Sequence, residues 1–201
     1  MEKRVALAVR ILSPIVAVTA VIFLVIATMS NRADTTFLND PYQMLDSGWQ
    51  CTIGDQPPIA IEPPMNIANI MDDDTYSFRL SRKLPDEIPF GYELGFRLSL
   101  QSVRVFVDGE EVYEYGCDTD YPLWRSAGSL YVFVPLLPAY AGKTIEIELS
   151  SPYTENKGVI NEFYFGKRIA IIQEIKRLFA VRNSIATLFV CVGCLLIAVY
   201  F

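Results

Sequence analysis

The 201-residue sequence contains no histidine. That removes Ser-His-Asp and Cys-His nucleophilic catalysis, His-bound zinc and a His phosphoacceptor from these residues. Cysteine is scarce, with four in the whole chain. Basic residues are few: between Arg32 and Asn183 there are 14 Lys/Arg against 22 Asp/Glu. An acidic surface of this kind argues against a nucleic-acid partner, which requires basic patches. Helix-period runs are missing from the central region, which is rich in a different pattern.

That pattern is alternation with period two. "ELGFRLSL" places Leu94, Phe96, Leu98 and Leu100 on one face and Glu93, Arg97 and Ser99 on the other. "TIEIEL" does the same with Ile145, Ile147 and Leu149 against Glu146 and Glu148, and "YSFRLSRKL" and "SLYVFVPL" follow. One wet and one buried face is the signature of antiparallel sheets. "RVFVDGEEVYEYG" (104–116) reads as strand, two-residue turn, strand, because Asp108-Gly109 suits a type I′ turn with two positive φ angles. With "GWQCTI" and "VINEFYFG" the segment holds about eight short strands separated by Pro, Gly and Asp turns. The expected fold is mainly β, an antiparallel jelly-roll sandwich.

The chain ends are apolar. Ile11 to Met29 and Ser184 to Phe201 carry no charge. Nineteen helical residues rise roughly 28 Å, about the bilayer's hydrocarbon thickness. The expectation is therefore a sandwich flanked by two transmembrane helices. Residues 1–31 form a cytoplasmic tip and anchor, and 32–166 the extracytoplasmic sandwich. A juxtamembrane amphipathic helix follows over 167–183, then the start of a second span over 184–201. Lys3, Arg4 and Arg10 place the N-terminus in the cytoplasm and residues 32–183 outside. A cleaved signal peptide is the alternative for the first run, with only a weak small-residue site at Thr28/Ser30. The second run stops inside its apolar stretch, so the sequence is expected to be the front part of a longer chain.

Cys51 and Cys117 fall in the outer region, where a disulfide between them is open. Cys191 and Cys194 have the spacing of a metal pair, but no other Cys or His accompanies them, and helix-packing residues are the plainer reading. Asp72, Asp73 and Asp74 offer oxygen ligands for calcium but lack the spacing of a dedicated loop, and a solvated turn before a strand is the plainer reading. No metal or cofactor is expected. The candidate ligand site is the loop "CDTDYPLWRS", where Asp118, Asp120, Tyr121 and Arg125 can bond a polar ligand and Trp124 can stack on an apolar sugar face. The alternative is that Trp124 plugs the end of the sandwich. Trp49, inside a strand, is expected in the core.

The hairpin "RVFVDGEEVYEYG", followed by "SLYVFVPLLPAYAGKTIEIELSSPY", resembles the galactose-binding-like jelly roll, and a similar "V-x-V-[ND]-G-x-x-V" hairpin occurs in sugar-binding modules of some glycoside hydrolases. The layout of anchor, β-domain with "SSPY", and "YFGKRIAII" leading into a helix resembles bacterial seven-transmembrane receptors with diverse intracellular signalling modules. That resemblance implies a sensory domain ahead of an output such as a GGDEF diguanylate cyclase or a histidine kinase. The expected function is thus extracytoplasmic ligand sensing. The alternative is a membrane-anchored carbohydrate-binding module. Expected partners are the lipid bilayer and a small-molecule, carbohydrate or protein ligand, with a homodimer left open. Catalysis is not expected: Glu110/Glu111 and Glu146/Glu148 fall at turn and wet-face strand positions, where acids solubilise.

Overall fold

The computed structural model describes residues 42–72, 74–117 and 128–200, together with Val16, Thr19, Ile22 and Phe23. Its strands are β1 (Tyr42–Met44), β2 (Trp49–Thr52), β3 (Ile59–Ile61), β4 (Met65–Asn66), β5 (Ser77–Lys83) and β6 (Tyr92–Ser99). They continue with β7 (Ser102–Val107), β8 (Glu110–Tyr115), β9 (Ser129–Pro135), β10 (Thr144–Ser150), β11 (Val159–Ile160) and β12 (Phe163–Lys167). A helix, α1, runs from Arg168 to Tyr200. The chain divides into two compact units, one comprising Asp40–Ile171 and the other Met1–Asn39 with Ile172–Phe201.

The first unit is an antiparallel β-sandwich. A four-stranded sheet has the order β1-β12-β6-β9, and a six-stranded sheet the order β3-β2-β5-β10-β7-β8. β4 and β11 form a separate two-stranded ribbon. The alternation read from sequence is what fills the space between the sheets. Leu94, Phe96 and Leu98 of β6 face inward, as do Val103, Val105 and Val107 of β7 and Ile145, Ile147 and Leu149 of β10, all 3% exposed or less. Each such side chain contributes about 1.5–3 kcal/mol through burial. Trp49 lies in this core and its indole Nε1 donates to the Leu45 carbonyl at 2.7 Å.

The β7–β8 hairpin forms as expected: Asp108 and Gly109 have φ of +51° and +81°. A register shift at Val105/Phe106 interrupts its ladder. Leu100 departs from expectation. β6 stops at Ser99, and Leu100 turns the chain into β7 at φ +56° instead of extending the buried row. The strands that sequence did not indicate, β1, β3 and β4, are two or three residues long. Alternation has no room to show in so few residues.

In the second unit, α1 continues from Ile172, with Glu174 and Arg177 paired at 2.7 Å. The expected pair of transmembrane helices needs correcting. Among the described residues no helix is long and apolar enough to cross a membrane. α1 carries Arg168, Glu174, Lys176, Arg177 and Arg182 through its first half. The first expected span, 11–29, lies outside the described residues except for Val16, Thr19, Ile22 and Phe23. The membrane localisation, with a cytoplasmic N-terminus and an extracytoplasmic 32–183, rested on those two spans and is corrected with them.

Candidate functional site

The residues singled out from sequence, Asp118, Asp120, Tyr121, Trp124 and Arg125, lie outside the described residues. The ends of their segment are fixed. Cys117 follows β8 and Gly128 precedes β9, at the end of the sandwich that also holds the Leu100–Gln101 turn. Cys117 donates its thiol to the Val103 carbonyl at 3.5 Å. Cys51 and Cys117 are both free, so they form no disulfide. The reason is topological. β2 and β8 stand four strand spacings apart, about 19 Å at ~4.8 Å each, whereas a disulfide needs Cα atoms within ~7 Å. Cys51 points into the core, and burial pushes its thiol pKa up to about 11.

The outer face of the six-stranded sheet gathers polar groups that sequence placed on separate strands. Thr52 of β2 stands opposite Arg79 of β5, and Arg79 opposite Glu148 of β10. Glu148 stands in turn opposite Arg104 of β7, and Arg104 opposite Glu114 of β8. The result is a row of alternating charge running straight across five strands. The Arg79 guanidinium bonds Glu146 at 3.2 Å and reaches Glu148 at 3.5 Å. Its centre lies 5.9 Å from the Phe106 ring. Arg104 lies 3.9 Å from Glu114. Its guanidinium pKa is pushed up by the Cys117 side chain and, to a lesser extent, by the Glu111 and Glu148 carboxylates.

Next to this row is an open cavity of about 460 Å³ lined by Thr52, Ser77, Arg79, Ser81, Glu146 and Glu148. The half-exposed Arg79 and the one-third-exposed glutamates keep their charges in contact with water. Such pairs add little stability, typically under ~1 kcal/mol each. Chemically, the face presents carboxylate acceptors, guanidinium donors, three hydroxyls and an aromatic ring. Among the described residues no group of three or more acids and cysteines is placed to hold a metal ion. The Asp72 backbone carbonyl instead accepts a hydrogen bond from the buried Lys157 ammonium at 2.8 Å.

Sequence reading missed this face because Glu146 and Glu148 look like any solubilising wet-face acids. Only the register shows that Arg79 stands opposite Glu148, from where its guanidinium also reaches Glu146.

No protein-family model and no curated protein matches the chain. Similar solved structures include a Ruminococcus gnavus beta-glucuronidase in complex with uronic isofagomine, at 11% identity and a TM-score of 0.42, covering 64% of this chain and 28% of that one. Bacteroides uniformis beta-glucuronidase 2 has 12% identity and a TM-score of 0.44, covering 64% and 18%. A GH2 beta-galacturonidase from Eisenbergiella tayi, bound to galacturonate, has 15% identity and a TM-score of 0.43, covering 64% and 24%. The chain thus spans less than a third of the length of each of these enzymes.

Proposed function

We propose that the sandwich unit is a noncatalytic binding domain that takes a hydroxyl-rich ligand, such as a carbohydrate, across the outer face of its six-stranded sheet. The observation that carries this is the cavity beside the Arg79–Glu146–Glu148 cluster. Paired carboxylates and a guanidinium suit vicinal hydroxyls, which donate to one and accept from the other. Phe106 offers a ring against an apolar sugar face. Both glutamates are engaged by the same guanidinium on an open surface, a setting for holding a ligand, with no enclosed acid–base pair. Two carboxylates to one guanidinium favour a neutral or amino-bearing sugar over an acidic one.

The test is a printed array of neutral, amino-bearing and acidic oligosaccharides, probed with the wild-type chain and with Arg79→Ala. Binding of a neutral or amino-bearing glycan, lost in the variant, supports the reading; no binding by the wild type removes it.

A second reading adds a sensory role, in which binding is passed to an output domain such as a diguanylate cyclase or histidine kinase. It is favoured by the absence of any loop between β12, which ends at Lys167, and α1, which begins at Arg168. Ligand-independent output from a chain that binds its ligand would exclude it.

A further inference from the structure

We propose that the outer face of the six-stranded sheet takes a linear oligosaccharide lying across the strands, and not a single sugar. A second cluster, Arg104 with Glu111 and Glu114, repeats the chemistry of Arg79 with Glu146 and Glu148, and alternate sugars of one chain occupy the two. This rests on the carbohydrate reading of that face and adds the length and direction of the ligand.

The second cluster owes its existence to an irregularity in β8. Arg104 stands opposite Glu114, and Phe106 opposite Glu111. Residues three apart in a regular strand point to opposite faces. Here Val105 opposes Tyr113 and Phe106 opposes Glu111, which leaves Val112 as an extra residue in the ladder. This bulge turns Glu111 to the same outer face as Glu114, and bulges commonly re-aim a side chain beside a site in this way. Arg104, Glu111 and Glu114 are all exposed.

The two clusters match in composition and in place. Each has one guanidinium and two carboxylates. Arg79 and Arg104 share a cross-strand row through Glu148. Only β10 separates β5 from β7, so the two positions are about 10 Å apart at ~4.8 Å per strand spacing. Beside this row a second one runs from Ser81 through Glu146 and Phe106 to Glu111. In an extended chain whose sugars turn over at each linkage, every second residue presents the same hydroxyls to one side. Two like clusters two strand spacings apart therefore suit the first and third sugars, and the Phe106 ring next to Arg104 offers its face to the third. The second cluster is also the looser one. Arg104 and Glu114 are 3.9 Å apart, an ion pair beyond hydrogen-bond reach, whereas Arg79 bonds Glu146 at 3.2 Å. Beyond its bond to the Cys117 side chain, the Arg104 guanidinium has donors to spare for a ligand.

The test is calorimetry of the full chain against linear cello-, manno- and chitosan oligosaccharides of one to six residues. In a series that binds, affinity should rise at least tenfold between two and three residues and level off beyond. Arg104→Ala, at an exposed position that does not threaten folding, should bring the longer oligosaccharides down to the affinity of the disaccharide. It should leave the disaccharide within twofold of wild type, whereas Arg79→Ala should weaken every length. An affinity that does not rise with length would overturn the proposal, and so would long oligosaccharides bound equally by Arg104→Ala and wild type. Both results leave the cavity beside Arg79 standing as a site for one sugar. Binding of no oligosaccharide at any length would overturn the proposal and the carbohydrate reading together.

Discussion

Trp49 and Phe163 meet across the two sheets with ring centroids 4.4 Å apart. Trp49 belongs to β2 of the six-stranded sheet and Phe163 to β12 of the four-stranded one, so this pair is a direct bond between the halves of the sandwich. Phe96 extends it, with its ring centroid 5.0 Å from Phe163. Phe163→Ala opens a cavity against both partners and should cost about 3–5 kcal/mol. Urea denaturation of the chain measures this; a loss under ~1 kcal/mol would mean that the sheets are held together elsewhere.

Gly109 should not tolerate a β-branched residue. Its φ is +81°, and nothing lies within 4 Å of a Cβ placed there. The cost of Gly109→Val is therefore backbone strain and not collision, about 1–2 kcal/mol. The expected fall in Tm is roughly 3–10 °C by thermal unfolding. An unchanged Tm would show that the turn relaxes to another type.

The buried thiol of Cys51 makes stability depend on alkaline pH. Its folded pKa is about 11 against an ordinary 9.0. Above pH 9 the unfolded chain releases this proton while the folded chain keeps it. The contribution is thus fully present below pH 9, lost as pH rises from 9 to 11, and amounts to ~2–3 kcal/mol. Subtracting the pH–stability profile of Cys51→Ala from that of the wild type isolates it. A flat difference over pH 8–11 would contradict burial of the thiol.

Much of the fold is legible in the sequence, and the reason is physical. β6, β7 and β10 are long enough, six to eight residues, for the period of two to separate a buried face from a wet one, and Asp108-Gly109 announces its own turn. The short β1 and β3 borrow their geometry from neighbouring strands and leave no pattern of their own. The candidate site is less legible. Arg79, Glu146, Glu148 and Phe106 are brought together by strand order, which passes from β5 to β10 to β7 and follows no sequence neighbourhood. Gly95 carries no signal of its own in "ELGFRLSL"; its neighbours Phe133, Tyr164 and Ile171 are all distant in the chain. The apolar end segments show the opposite case: a strong composition signal suggested two spanning helices, and among the described residues no helix is long and apolar enough to cross a membrane.

The most direct measurement is binding of oligosaccharides to the outer face of the six-stranded sheet. Wild type and Arg79→Ala are compared on the same glycan array, and any glycan found is titrated into both chains by calorimetry. The expected result is a neutral or amino-bearing glycan bound by the wild type and weakened at least tenfold in Arg79→Ala. The two proteins should differ in stability by less than ~1 kcal/mol, because an exposed ion pair is worth little. A wild type that binds no glycan, or binding that Arg79→Ala leaves intact, would contradict a ligand site on that face.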